Sequence, residues 1–255
     1  MRAHDGLEAS PHSRRPTLTP WTLLPAAATL LAVACLMFPT ANAQNPAKAA
    51  RRPVSKTATQ PAASKPAPQP GEVLVESSRV YVFVGKRGLG HEHAIEGRLK
   101  AGTVRLGVPR DAGSLVFAMK TFRADSTEAR KYLGLAGETD ADTRTAVTAN
   151  MLGADILSVD AHPEAVFKIR SALADKETGE QEEHYLLVGE FTLRGTTQPL
   201  TLRATVARSA GKARLRGQFT VKQTDYGITP YSKAFGAIGV SDELRIYGEV
   251  DLAAE

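Results

Sequence analysis

The sequence has 255 residues and a formal net charge of +5, a length that allows one domain with extensions. Residues 1–71 carry eight Lys or Arg and two Asp or Glu, whereas residues 72–255 carry 24 and 25, so the basic charge lies outside the domain. A nearly neutral domain with only 6% aromatic residues argues against nucleic-acid binding, which needs a basic face or stacking aromatics.

Residues 1–43 have the pattern of a secretion signal peptide. Arg14 and Arg15 precede an uncharged apolar stretch of eighteen residues, and an Ala-x-Ala cleavage site ends at Ala43. This pattern predicts a periplasmic or secreted protein, with the type of signal left open. An uncleaved membrane anchor and a lipoprotein attached at Cys35 are the alternatives. Because Cys35 is the only cysteine, cleavage after Ala43 would leave no disulfide, thiol nucleophile or thiolate metal site.

Residues 44–71 are rich in Pro, Ala, Lys, Ser and Thr and contain no acidic residue. Such a segment cannot bury enough apolar surface to fold, which predicts a disordered linker before a domain that begins at residue 72. Two roles stay open for its five positive charges. They would touch anionic lipid headgroups as a peripheral membrane contact, or the segment would be a solvated tether.

The first half of the domain is predicted to combine strands with two helices. Residues with high β propensity predict strands over 79–85, 94–99, 103–108 and 114–121. A capping box at 125–128 predicts a short helix to about residue 133, and an apolar stripe predicts a second helix over 140–152.

The second half is predicted to be β-structure throughout. Strands are expected over 165–171, 185–193, 200–206, 214–222 and 244–252, with a charged hairpin loop at 175–183 and a turn at 194–199. Apolar and polar residues alternate along these strands, which indicates one dry face and one wet face. Gly189, Gly217 and Gly248 replace bulky residues on the dry faces. They either relieve bending of the sheet or leave volume for a ligand.

Motifs for enzymatic chemistry are missing from the sequence, which has no Gly-x-Ser-x-Gly, no glycine-rich phosphate loop and no His-Glu-x-x-His. We therefore expect neither an enzyme nor a cofactor. His91 and His93 lie two residues apart, so on an extended chain both imidazoles point the same way and could share a metal ion. Such a site needs at least one more ligand. The alternative is that both histidines shape a turn or line a polar pocket mouth.

Three segments resemble the YceI family in the same order along the chain. Residues 189–202 (Gly-Glu-Phe-Thr-Leu-Arg-Gly-Thr-Thr-Gln-Pro-Leu-Thr-Leu) resemble its most recognisable stretch. Residues 162–167 resemble its Tyr-Pro-x-x-x-Phe, with histidine in place of tyrosine, and residues 223–228 resemble its Phe-Gly-Ile segment. The resemblance covers residues 72–252. One departure is the turn after the first long strand, residues 86–93, which differs from the usual Lys-His-Leu-Gly-type turn.

This resemblance implies an all-β fold, a lipocalin-like antiparallel β-barrel of about eight strands with a helical insertion. It also implies an exported protein that holds a long apolar ligand, a polyisoprenoid or fatty-acyl-type lipid, in the barrel lumen. Transport, storage and sensing of that lipid are all compatible with the resemblance. The oligomeric state is left open, a homodimer included.

The predicted site has an apolar lumen and a polar rim. We expect the lumen to be lined by Tyr81, Phe83, Phe117, Met119, Phe167, Leu187, Phe191, Leu202, Phe219 and Ile246. We expect Arg203 and Lys222 to lie outside the barrel. A ligand head group is expected to meet Lys86, Arg87, His91 and His93 at the rim. Two alternatives remain: a metal-dependent or redox accessory enzyme that uses His91 and His93, and a structural barrel filled by side chains.

Overall fold

The computed structural model describes residues 67–175, 183–209 and 211–254. These residues belong to the second of two compact units of the chain, residues 62–255. The predicted signal peptide at 1–43 lies outside the described residues, as do most of the predicted linker at 44–71 and most of the hairpin loop at 175–183.

The described part of the chain contains nine strands and two α-helices. The strands are β1 (Arg79–Gly88), β2 (His93–Val104), β3 (Gly113–Ala124), β4 (Glu164–Ala174), β5 (Glu183–Leu193), β6 (Thr196–Ser209), β7 (Lys212–Lys222), β8 (Ser232–Lys233) and β9 (Ile238–Ala253). The helices are α1 (Thr127–Tyr132) and α2 (Ala141–Leu152), both between β3 and β4. Two short 3-10 helices follow β7, at Gln223–Tyr226 and Ala234–Gly236.

Eight long strands close into an antiparallel barrel. Each strand from β1 to β7 pairs with the next in the chain, β7 pairs with β9, and β9 returns to pair with β1. The two residues of β8 add a short pairing to the start of β9. The predicted all-β, lipocalin-like barrel with a helical insertion is therefore confirmed, and closure satisfies the strand edges that an open sheet would expose.

The prediction of a separate strand over 103–108 is wrong. Thr103 and Val104 belong to the end of β2, and Val108 makes only an isolated bridge to Ala172. Gly107 has a positive φ of 79° and interrupts the extended backbone that a strand requires.

The short helix α1 begins one residue later than the capping box predicts. Ser126 is its N-cap, and the Ser126 hydroxyl accepts a hydrogen bond of 3.1 Å from the backbone N–H of Ala129. Asp125 instead has a positive φ of 54°, and its carboxylate accepts hydrogen bonds from β2. Helix α2 follows the prediction closely, because Asp140 caps its start and Gly153 follows its end.

The turn between β5 and β6 is two residues long, shorter than the predicted 194–199. Arg194 and Gly195 both have positive φ, 49° and 77°, which matches the twist that a two-residue hairpin needs. The Arg194 guanidinium donates to the carbonyls of Gly227 (2.6 Å) and Ala154 (3.1 Å). The turn thereby ties together two loops at the same end of the barrel.

The barrel interior is packed at one end and hollow at the other. The packed end is filled by large buried side chains, namely Leu99, Val104, Leu115, Phe167, Ile169, Leu187, Val206, Leu215, Val250 and Leu252. The hollow end carries the β1–β2 turn, α2 and the β5–β6 turn. As predicted, Arg203 and Lys222 are exposed on the outside.

The three glycines on the dry faces do not line the hollow end. A Cβ atom on Gly189 would lie 2.0 Å from the carbonyl oxygen of Lys168, so this glycine permits a close approach of β4 and β5. A Cβ on Gly217 would lie 2.9 Å from the Leu202 side chain, whereas one on Gly248 would meet nothing closer than 3.9 Å. This arrangement supports the interpretation that the glycines allow close packing and bending of the sheet. It does not support the interpretation that they leave volume for a ligand.

Candidate functional site

An apolar cavity of about 280 Å³ occupies the hollow end of the barrel. Its wall comes from the inward faces of seven strands: Val80, Val82, Val84, Ile95, Phe117, Met119, Phe122, Ala165, Phe191, Leu193, Phe219, Leu244 and Ile246. Helix α2 and the segment after it complete the lining with Val147, Met151, Ile156 and Leu157. The volume lies close to the lower limit of about 300 Å³ for small-molecule pockets, which suits a slender apolar group.

Aromatic rings fix the floor of the cavity around Phe191. The Phe191 ring packs edge-on against the rings of Phe117, Phe219 and Tyr226, at centroid distances of 6.2, 5.7 and 5.9 Å. Edge-to-face contacts of this kind stabilise a fixed arrangement beyond the burial of area. Phe117, Phe191 and Phe219 all line the cavity and therefore form an aromatic part of its wall.

The ten predicted lumen residues fall into three groups. Phe117, Met119, Phe191, Phe219 and Ile246 line the cavity. Phe167 and Leu187 are buried in the packed end, 2% and 1% exposed, and Leu202 packs half-buried against the same core. These three were expected to line the lumen, but they pack in the other end of the barrel and do not line the cavity.

Tyr81 and Phe83 lie on the opposite face of β1, so their assignment to the lumen is wrong. Tyr81 stacks on Tyr132 of α1 with the ring centroids 3.9 Å apart, and the Arg245 guanidinium lies 4.2 Å from the Phe83 ring centroid. Helix α1 covers the phenol of Tyr81 and partly removes it from water, which raises the pKa of Tyr81. The nearby carboxylates of Glu96 and Glu249 raise this pKa further.

The cavity residues of β1 are instead Val80, Val82 and Val84. Residues 79–85 are apolar on both faces of the strand, so the sequence pattern alone does not show which face lines the lumen. Val147 and Met151 of α2 were also missed as cavity residues. Their signal was the apolar stripe of the helix, which the structure turns toward the hollow end.

Two of the four predicted rim residues reach the cavity. His91 and His93 both line it, with their ring centroids 4.5 Å apart. Lys86 and Arg87 are exposed at the end of β1 and do not contribute to the lining. The Lys86 ammonium lies 3.9 Å from the Glu92 carboxylate.

A buried carboxylate holds His93 in place. Asp125, with a fully buried side chain, accepts a 2.7 Å hydrogen bond from Nδ1–H of His93 and a 2.9 Å hydrogen bond from the backbone N–H of Ala94. The Arg130 guanidinium lies 3.2 Å from Oδ1 of this carboxylate, the oxygen that also accepts from Ala94. Burial alone would raise the Asp125 pKa, but the hydrogen bonds from His93 and Ala94 and the charge of Arg130 outweigh it and lower the pKa.

This network determines what His93 presents to the cavity. With Nδ1–H donated to Asp125, the other ring nitrogen, Nε2, is an acceptor in the neutral ring and a donor in the charged ring. His93 can therefore bind a hydroxyl in one state and an anion in the other. Polar groups of Asn150, Gln223 and Tyr231 also contribute to the lining.

Within the described ranges, no group of three or more His, Cys, Asp or Glu side chains is placed to hold a metal ion. His91 and His93 thus lack, among those residues, the third ligand that the metal hypothesis requires. In the same part of the chain, no helix combines the length and the apolar character needed to cross a membrane.

A family model described as the YceI-like domain matches residues 73–252. No curated protein sequence gives a significant match. The matches among solved structures include three from different bacteria. BcnA of Burkholderia cenocepacia has 15% identity and a TM-score of 0.47, over 71% of this chain and 99% of that one. A polyisoprenoid-binding domain of Saccharophagus degradans has 13% identity and a TM-score of 0.49, over 73% and 100%. The YceI protein of Campylobacter jejuni has 12% identity and a TM-score of 0.40, over 62% and 84%.

Proposed function

Because this chain belongs to the YceI-like domain family, we propose that it is an exported binding protein for a polyisoprenoid or fatty-acyl-type lipid. The observation that carries the proposal is the apolar cavity of about 280 Å³ at one end of an otherwise packed barrel. A filled structural barrel would not leave this space, because protein interiors pack to nearly crystalline density.

The chemistry of the wall matches an apolar chain. Each buried methylene contributes about 0.8 kcal/mol, so ten carbons supply roughly 8 kcal/mol before the cost of immobilising the ligand. A wall of this kind measures length and bulk but does not distinguish polar groups. Recognition of the rest of the lipid must come from the polar residues of the lining.

The head group in this proposal lies against His91 and His93. The Asp125 hydrogen bond fixes the His93 ring, so its Nε2 is presented in a set orientation without further loss of side-chain entropy. Lys86 and Arg87 are exposed nearby on β1, and their long side chains add positive charge for an anionic head group. Asn150 and Gln223 supply neutral hydrogen-bonding groups.

Fluorescence titration with cis-parinaric acid, a fatty acid whose polyene chain becomes more fluorescent in apolar surroundings, tests the proposal. We expect saturable binding with one site per barrel and displacement by polyprenyl alcohols in order of chain length. The matched control is Leu187→Ala at the packed end, which removes side-chain volume away from the cavity. If the wild-type protein shows no saturable signal while its fold is intact, the lipid-binding proposal is wrong.

A further inference from the structure

Two large apolar side chains project into solvent at the hollow end of the barrel. Leu89, in the β1–β2 turn, is 85% exposed, and Phe235, in the turn between β8 and β9, is 112% exposed. Ile238 at the start of β9 is 41% exposed and also lines the cavity. We call Leu89, Phe235 and Ile238 the apolar tip. Exposed apolar residues grouped at one place indicate an interaction surface.

Backbone pairing brings the three residues of the apolar tip together. Gly88 pairs with Ile238 across β1 and β9, and the backbone N–H of Leu89 donates to the carbonyl of Ala237 at 2.9 Å. Lys233 of β8 pairs with Ile238 from the other side. The tip is thus one small three-stranded extension of the barrel, and Ile238 belongs both to the tip and to the lining of the cavity.

The backbone at the tip is unusual at Phe235. Ala234 and Phe235 both have positive φ, 49° and 54°, a conformation that is uncommon for residues other than glycine and unfavourable for bulky ones. The Phe235 side chain is fully exposed in this conformation. A chain that needed only a turn would place glycine or asparagine at such positions.

The charges around the tip complement an anionic surface. Lys86 and Arg87 at the end of β1 and Lys233 in β8 are all exposed. Glu92 lies 3.9 Å from Lys86 and offsets one of these charges, so the four residues together carry a net positive charge. Basic residues that flank exposed apolar ones fit the interface of a bilayer, where the apolar groups reach the acyl region and the cations meet anionic headgroups.

We propose that the apolar tip inserts into the interface of an anionic lipid bilayer and places the cavity mouth against the headgroups. An apolar chain could then move between the membrane and the cavity along Ile238 without crossing water. Docking and lipid binding are separable, because the tip can insert into a bilayer whether or not the cavity is occupied. The proposal therefore goes beyond the proposed function and fails or succeeds on its own measurement.

A fluorescent label at the tip tests this proposal in the full-length chain. Cys35→Ser removes the native thiol, and Phe235→Cys or Ser209→Cys then carries a bimane label. Ser209 is exposed at the end of β6 that belongs to the packed end, so its label is the matched control. Each protein is mixed with vesicles of phosphatidylglycerol and phosphatidylethanolamine, or with neutral phosphatidylcholine vesicles, that contain brominated acyl chains.

We expect the label at position 235, and not at 209, to shift to shorter wavelength and to be quenched by the anionic vesicles. Lys233→Gln should weaken this insertion about fivefold, the equivalent of about 1 kcal/mol for one cation near an anionic surface. Leu89→Ser should weaken it more than Lys233→Gln does, because it removes apolar contact with the acyl region. Cavity binding of cis-parinaric acid, measured without vesicles, should survive both changes.

Equal responses at positions 235 and 209 would overturn the proposal, because the N-terminal residues would then account for the binding. A label at 235 that becomes shielded without vesicles as protein concentration rises, together with a doubled mass in solution, would also overturn it. That outcome would assign the apolar tip to a contact between two copies of this chain. Absence of cis-parinaric acid binding in the wild type would refute the proposed function. It would not refute membrane docking, which the label at position 235 measures separately.

Discussion

Replacement of Ala165 by leucine tests whether a ligand chain occupies the hollow end. Ala165 lies in β4, opposite Phe117 in β3, and lines the cavity with 2% of its surface exposed. Leucine adds three carbon atoms in the direction of the free volume. If they displace three ligand methylenes at about 0.8 kcal/mol each, binding weakens by about 2.4 kcal/mol, or about 50-fold.

The same substitution should not destabilise the empty protein. Leucine at position 165 enters space that is already present, so we expect the free energy of unfolding to stay unchanged or to rise. The matched control is Ala204→Leu, at a residue 1% exposed in the packed end. There the added carbons meet a filled core, and overpacking should cost about 1–3 kcal/mol.

Two assays read out this pair of variants: cis-parinaric acid titration for affinity and urea unfolding for stability. Ala165→Leu with unchanged affinity and an intact fold would show that the chain does not occupy this part of the cavity. A loss of stability in Ala165→Leu equal to that in Ala204→Leu would show that the hollow end is packed. Either result would refute the reasoning from the cavity.

Three further predictions concern the rim, the buried carboxylate and the barrel wall. Affinity for cis-parinaric acid should fall in His91→Ala/His93→Ala, because the carboxyl group of this fatty acid would lose the two imidazoles that line the cavity. Unchanged affinity would contradict the head-group assignment. Asp125→Asn should lower the free energy of unfolding by about 3 kcal/mol. Because the folded-state pKa of Asp125 is lowered, the stability difference between the wild type and Asp125→Asn should be constant above the ordinary pKa of 3.8 and should shrink as the pH falls through the folded-state pKa. Urea unfolding at several pH values measures this difference. A difference that grows in acid would contradict the stabilising role of the ionised Asp125. Gly189→Ala should lower the free energy of unfolding, measured by thermal unfolding, by about 1–3 kcal/mol, because the added Cβ meets a backbone carbonyl. Gly248→Ala should be tolerated, because its added Cβ has room. Equal effects of the two variants would contradict this difference in crowding.

The period-two pattern was enough to predict most of the strands, whereas the closed barrel was implied by the resemblance to the YceI family. Alternation along residues 185–206 placed Phe191 inside and Arg203 outside, because only one face of those strands is apolar. The same logic could not orient β1, where Val80 and Tyr81 both lie on apolar faces. The Tyr81 face lies outside because Tyr132 of α1 packs on it. The local sequence pattern of β1 does not predict this contact, because Tyr132 belongs to a distant segment of the chain.

The division of the barrel into a packed and a hollow end was not predictable from the sequence. Phe167 and Phe191 have the same residue type on neighbouring strands and pair directly, yet Phe191 lines the cavity and Phe167 is buried in the packed core. The pattern of residue types along each strand is the same for both, so it cannot separate a cavity residue from a packed one. The role of Asp125 was hidden for a similar reason, since its partner His93 lies 32 residues away in the chain.

Native mass spectrometry of the protein purified from its own cell envelope tests the central claim most directly. The account predicts one non-covalently bound polyisoprenoid or fatty-acyl-type lipid per barrel, lost when the protein is denatured and identified by its mass. Purified Ala165→Leu should carry less of the same lipid. A bare chain, or a chain that carries a stoichiometric metal ion and no lipid, would contradict the account.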